Sequence, residues 1–147
     1  MIARTLAAAL ALGLATVVVA ETPNIEPGLW KYENSMSFSG DIPIPDQNQT
    51  SEECVSAEDI AEGDAFLDDV DECEITHKDL RRDGMDYSMV CTQPDGSQMT
   101  MDAEMQFNGD TASGIIEGNM DTPMGAMQMT ITVSGERIGD CPAEEDD

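Results

Sequence analysis

Apolar and polar residues alternate along much of this chain, which is the pattern of β-strands with one buried face. The clearest run covers residues 99–107, where every second residue is apolar. Similar runs cover residues 29–38 and 127–133, and a weaker one surrounds Ile115 and Ile116. Turn-forming residues separate these runs, so we predict a mainly β protein with about six antiparallel strands.

A β-hairpin is predicted at residues 73–91, because Asp83 and Gly84 tolerate the backbone angles of a tight turn. Facing residues of an antiparallel pair have position numbers with a constant sum. A loop over residues 80–84 therefore gives these facing pairs: Cys73 with Cys91, Ile75 with Met89, His77 with Tyr87, and Asp79 with Met85. Facing residues lie close enough for a disulfide bond, so this register favours a bond between Cys73 and Cys91.

One short helix is predicted between Ser56 and Gly63. The serine can cap its first turn, acidic residues suit that end of the helix dipole, and the glycine can end it. Residues 40–50 contain two prolines and no core pattern, which predicts an extended loop. Residues 73–137 then form a meander with one apolar face. Because that face must be buried, we expect a curved sheet or half-open barrel.

The first residues have the pattern of a signal peptide. Arg4 precedes an uncharged run over residues 6–19, and small residues lead up to Ala20, which predicts cleavage before Glu21. The apolar run is too short to span a bilayer, so we expect no membrane anchor. The predicted organisation is a signal peptide at residues 1–20, a single exported domain at 21–141, and an acidic disordered tail at 142–147.

Four cysteines in an exported chain predict two disulfide bonds. With Cys73 bonded to Cys91, the second bond joins Cys54 to Cys141. Export also predicts a periplasmic or secreted location. Metal ligation by these cysteines is disfavoured, because no pair has the C-x-x-C spacing and an oxidising compartment leaves few thiolates.

The chain is strongly acidic, with 31 acidic residues against six basic ones and a net charge of −25. This charge repels nucleic acid and anionic lipid headgroups, so we expect neither as a partner. A solvated acidic surface is the simplest interpretation, and weak binding of divalent cations is an alternative. Calcium loops centred on Gly84 or Gly63 fail, because Arg81 or Ile60 would occupy a ligand position.

Methionine is unusually common, and seven methionines are predicted to point towards the core. These are Met85, Met89, Met99, Met101, Met105, Met127 and Met129. Thioethers could bind Cu(I) or could form an adaptable surface for an apolar ligand, but strict strand register favours core filling over both. The candidate ligand-binding residues are Trp30, Tyr32, Met99, Met101, Met105, Met127 and Met129.

The sequence offers little catalytic chemistry. His77 is the only histidine, so a single chain cannot build a site with several histidines. No nucleophile accompanies His77 in the pattern, and the residues before Ser113 lack the glycine of a nucleophile elbow. We therefore predict that the protein is not an enzyme, with no catalytic residues, no metal ligands and no cofactor.

Four segments resemble a bacterial exported family known as domain of unknown function 3617. They are Pro27-Gly28-Leu29-Trp30, then Cys54-Val55-Ser56-Ala57-Glu58-Asp59, the spaced pair Cys73 and Cys91, and Gly135-Glu136-Arg137-Ile138-Gly139-Asp140-Cys141. The resemblance extends over residues 23–141 and implies a periplasmic or secreted, cysteine-stapled domain. It implies no activity.

Together these features predict a monomeric, non-enzymatic exported protein that binds an apolar ligand or a protein partner on a methionine-rich sheet. The alternative is a structural protein of the cell envelope without a small-molecule ligand. An enzyme that uses His77 is the third hypothesis.

Overall fold

The computed structural model describes residues 21–63 and 73–143. Their elements are β1 (Gly28–Gly40), β2 (Gln47–Val55), α1 (Ala57–Glu62), β3 (Cys73–Leu80), β4 (Gly84–Thr92), β5 (Gln98–Phe107), β6 (Thr111–Thr122) and β7 (Gly125–Gly139). The strands form one antiparallel sheet in the order β2-β1-β7-β6-β5-β4-β3. The sheet is not closed, since β2 and β3 are its two edges. The predicted mainly β class is confirmed, with seven strands instead of six.

Strand β2 is the element that the sequence pattern missed. Residues 40–50 were predicted to be an extended loop, but β2 begins at Gln47 and pairs with β1 from Gly28 opposite Val55 to Met36 opposite Gln47. The first part of β2 is exposed on both faces. An exposed edge strand needs no apolar face, so its sequence lacks the alternation that marks buried strands.

The central hairpin follows the predicted register only at its open end. Cys73 faces Cys91 and Ile75 faces Met89, as predicted. The register then shifts between Ile75 and His77, because β3 contains one extra residue at this point. The predicted pairing of His77 with Tyr87 is therefore wrong.

Beyond the shift, every partner in the hairpin moves by one position. The facing pairs are His77 with Ser88, Lys78 with Tyr87, Asp79 with Asp86 and Leu80 with Met85. The predicted pairing of Asp79 with Met85 is thus also wrong, and the turn is shorter than predicted. It is closed by a hydrogen bond from the Arg81 amide to the Gly84 carbonyl, at 2.8 Å.

The short helix α1 begins and ends where the sequence predicts. The Ser56 side chain accepts a hydrogen bond from the Asp59 amide, and the Asp59 carboxylate accepts one from the Ser56 amide, which forms a capping box. Gly63 ends the helix in the left-handed conformation, at φ 75°. Lys78 of β3 donates to the Glu62 carbonyl. Helix α1 therefore leads from the β2 edge of the sheet to the β3 edge.

Both predicted disulfide bonds are confirmed. Cys73 and Cys91 join β3 to β4, with their Cα atoms 4.0 Å apart. Cys54 and Cys141 join β2 to the segment after β7, across a sequence separation of 87 residues. The second bond ties an edge strand to the end of the domain, and on the chain-entropy model the longer loop gives the larger stabilisation.

The predicted signal peptide and most of the predicted acidic tail lie outside the described residues. Pro142 and Ala143, the described part of that tail, are exposed and have no regular structure. In residues 21–63 and 73–143, no helix is long and apolar enough to cross a membrane.

Candidate functional site

The register of the sheet collects its apolar side chains on one side, here called the apolar face. Four rows of facing residues cross strands β4, β5, β6, β7 and β1. In that order they are Met85-Met105-Gly114-Val133-Asn34, Tyr87-Ala103-Ile116-Ile131-Met36, Met89-Met101-Gly118-Met129-Phe38, and Cys91-Met99-Met120-Met127-Gly40. All seven methionines that were predicted to point inward lie on this face.

The sealed end of the apolar face comprises the first of these rows together with Trp30, Tyr32 and Phe107. Trp30 and Met85 have no exposed surface, and Met105 is 2% exposed. Val55, Ile60 of helix α1 and Ile25 before β1 belong to the same buried cluster. This end is a conventional core, closed by elements that come from distant parts of the chain.

Hydrogen bonds hold the cover of the sealed end in place. The Trp30 indole donates from Nε1 to the Glu26 carbonyl at 2.9 Å, which leaves no buried indole N–H unpaired. The Asn24 amide donates to the Arg82 carbonyl at 2.7 Å, and the Glu26 amide donates to the Gly109 carbonyl at 2.9 Å. The segment before β1 is thereby fastened to two turns at this end of the sheet.

The open end of the apolar face comprises the last two rows and Met36. On β1, β5, β6 and β7 its larger side chains are half-buried; they are Met36, Phe38, Met99, Met101, Met120, Met127 and Met129. Met89 and Cys91, which β4 contributes to the same two rows, are buried. They lie side by side on neighbouring strands. The open end is therefore a broad apolar surface that water still reaches.

A glycine shapes the centre of the open end. A Cβ atom at Gly118 would lie 3.2 Å from Met129 Cε and 3.7 Å from Met101 Cγ. The side chains of Met101 and Met129 thus lie across the glycine from both sides. Without a side chain of its own, Gly118 lets two flexible thioethers occupy the middle of the sheet.

The structure divides the seven predicted ligand-binding residues between the two ends. Trp30, Tyr32 and Met105 are buried at the sealed end, so no ligand reaches them without opening the core. Met99, Met101, Met127 and Met129 are at the open end. Met120 lies among them and was not predicted, because glycines 114 and 118 weaken the alternation of β6.

The opposite, polar face of the sheet has a groove of about 870 Å³. Its charged lining residues are Lys31, Glu33, Arg81, Asp83, Glu104 and Glu136. Lys31 lies 3.2 Å from Glu33, so that cation is already paired with a carboxylate. Four of the six charged lining residues are carboxylates, so the groove is acidic.

Arg81 is held by carboxylates at the edge of this groove. Its Nη1 donates to Asp79 at 2.8 Å and to Asp86 at 2.7 Å. The hydrogen bond from Arg81 lowers the pKa of Asp86, although partial desolvation acts in the opposite direction. The same two carboxylates raise the pKa of the Arg81 guanidinium above its already high value.

His77 lies in a smaller depression of about 390 Å³ on the polar face. It faces Ser88, whose hydroxyl donates to Asp102 at 2.6 Å. The buried Tyr87 also contributes to this depression, and desolvation raises the pKa of its phenol. The hydroxyl of Ser88 is thus directed to a carboxylate in this arrangement. Within the described residues, no cluster of three or more His, Cys, Asp or Glu side chains could hold a metal ion.

A family model described as "Protein of unknown function (DUF3617)" matches residues 25–141. The chain belongs to the DUF3617 family. The match confirms the resemblance seen in the sequence and includes every strand and the helix of the domain. No curated protein and no solved structure matches the chain. In this DUF3617 protein the two disulfide bonds are typical of an oxidising, extracytoplasmic compartment.

Proposed function

We propose that this DUF3617 protein is a non-enzymatic binding module of the periplasm or the secreted medium. Its ligand is an apolar small molecule or an apolar segment of a protein partner, bound at the open end of the apolar face. The observation that supports this most strongly is the row-by-row placement of half-buried Met and Phe side chains on one rigid sheet. Contiguous apolar surface of this kind is typical of interaction sites.

The composition of the open end suits a ligand of variable shape. Methionine has an unbranched, flexible and polarisable side chain that repacks at little cost. The backbone beneath it is held by strand pairing on both sides and by the Cys73–Cys91 bond at the end of the last row. A rigid backbone with adaptable side chains can bind several apolar shapes without refolding.

The net charge supports the proposed monomer and its type of partner, and the predicted signal peptide supports export. A charge of −25 opposes self-association, which supports a monomer and a neutral or cationic partner. The apolar run at residues 6–19 and the two disulfide bonds support export.

The proposal is tested with the mature protein and Nile red, a neutral fluorescent apolar dye. Met101→Glu places a charge at the centre of the open end, and we expect it to weaken binding by roughly tenfold or more, because burying an unpaired carboxylate is costly. Met124→Glu is the matched control, since Met124 lies in the β6–β7 turn and is 78% exposed. Equal loss in both variants, or no binding by the unaltered protein, would contradict the small-ligand form of the proposal.

A structural role in the cell envelope without a small ligand is the second candidate. The sealed end and the Cys54–Cys141 bond favour it, because both stabilise the domain and neither requires a ligand. Native mass spectrometry of protein isolated from its own compartment separates the two hypotheses. A bound lipid or small molecule supports the first, whereas a reproducible protein partner without a small molecule supports the second.

A further inference from the structure

The apolar face is built from methionine to an unusual degree. Every methionine after residue 20 lies on this face except Met124. Strands ordinarily favour Val, Ile and aromatic residues at such positions. Besides adapting to apolar ligands, a thioether can coordinate soft metal ions, which aliphatic side chains cannot do.

Three of these thioethers are aligned across neighbouring strands. Met99 of β5 faces Met120 of β6, and Met120 faces Met127 of β7. Neighbouring strands lie about 4.8 Å apart, and side chains of facing residues emerge on the same side of the sheet. All three side chains are half-buried, and their rotatable bonds allow the sulfur atoms to turn towards one another.

We propose that Met99, Met120 and Met127 form a binding site for a soft monovalent cation, Cu(I) or Ag(I). Thioether sulfur is a soft ligand that favours Cu(I) over hard cations such as Mg²⁺ or Ca²⁺. Three neutral ligands from adjacent strands supply the three-coordinate sulfur environment of such a site. Met101 and Met129, which lie over Gly118 in the next row, provide an apolar wall beside it.

The charge of the protein supports a cation at this position. The three thioethers are neutral and leave the charge of the ion uncompensated at the site itself. A net charge of −25 raises the local concentration of cations around the whole molecule. Selectivity then comes from the sulfur ligands, because the diffuse negative field attracts hard and soft cations alike.

The inference does not rest on the proposed apolar ligand, because Ag(I) binding is measured with no apolar ligand present. Leucine keeps an apolar side chain of similar volume but removes the sulfur. Ag(I) is the probe, since it needs no reductant and leaves both disulfide bonds intact. We expect the mature protein to bind one Ag(I) with sulfur ligands visible by X-ray absorption. Met120→Leu should weaken Ag(I) binding by roughly tenfold or more.

Two control variants complete the experiment. Met124→Leu removes an exposed thioether outside the row, and His77→Ala removes the single imidazole. Both should bind Ag(I) like the unaltered protein. Unchanged binding in Met120→Leu, or loss of binding in either control, would overturn the inference. The circular dichroism spectrum of each variant shows whether it has folded, and a Met99→Leu variant repeats the test if Met120→Leu does not fold.

Discussion

The two ends of the apolar face share one sheet, one register and one alternation of residues, yet only one end is sealed. Trp30 and Met85 are fully buried beneath helix α1 and the segment before β1, whereas Met120 and its neighbours stay half-buried. The difference arises from distant elements and not from the strands themselves. Alternation determines which side of a strand is apolar, but the rest of the chain determines whether that side is covered.

The difference in packing between the two ends is tested most directly by truncating one aromatic residue at each end. Trp30→Ala should lower the free energy of unfolding by about 3–5 kcal/mol, because it leaves a large cavity in a closed core. Phe38→Ala should cost only about 1 kcal/mol, because Phe38 is half-buried and water can fill the space. Urea unfolding measures both values. Equal losses would show that the open end is as well packed as the sealed end.

Oxidation by dilute hydrogen peroxide tests the same contrast without mutation. Each methionine thioether gains one oxygen to give the sulfoxide, and water is released. Met124 should react first and the half-buried methionines of the open end next. Met85, Met89 and Met105 should react roughly tenfold more slowly, since reaction requires access to the sulfur. Peptide mass spectrometry gives the rate at each position. Met105 reacting as fast as Met99 would contradict the division of the face into two ends.

The smallest expected effect concerns the pair of Arg81 and Asp86 on the polar face of the sheet. Because Arg81 lowers the pKa of Asp86 in the folded protein, this pair stabilises the fold above the ordinary carboxyl pKa of 3.8. That contribution is lost as the pH falls through the lowered pKa. The stability difference between the unaltered protein and Asp86→Asn should therefore be constant near neutral pH and shrink below pH 3.8.

The Asp86→Asn measurement has a matched control. Asp102→Asn removes a carboxylate on the same face that accepts from Ser88 instead of from an arginine. Thermal unfolding between pH 2.5 and pH 7 compares the two variants, a range set by the ordinary titration of carboxylates. A difference for Asp86→Asn that grew on acidification would show that Arg81 does not stabilise the charged form.

Local features of this fold were predictable from sequence, whereas features that depend on distant contacts were not. The Cys73–Cys91 bond followed from hairpin register, and the caps of α1 followed from Ser56 and Gly63, because each depends on a few neighbouring residues. The extra residue in β3 is Thr76, between Ile75 and His77, where the register shifts. It could not be predicted, since nothing in its sequence context is unusual. Its consequence was a wrong partner for His77.

The candidate site was predicted in part for the same reason. The alternation identified Met99, Met101, Met127 and Met129, but it also selected Trp30 and Met105, which distant elements bury. Met120 was not predicted, because the glycines of β6 interrupt the apolar pattern of that strand. Those glycines are themselves explained by the fold: a Cβ atom at Gly114 would collide with Met105 Sδ, and Gly118 makes room for Met101 and Met129.

The most direct test of the open end as a binding surface is NMR of methionine methyl groups during titration with a neutral apolar ligand such as Nile red. Signals from Met99, Met101, Met120, Met127 and Met129 should shift together, because the ligand would lie on all of them. Signals from Met85 and Met105 should stay in place, since both are sealed in the core. Shifts confined to Met124, or no shifts at all with the neutral ligand in excess, would contradict a binding site at the open end.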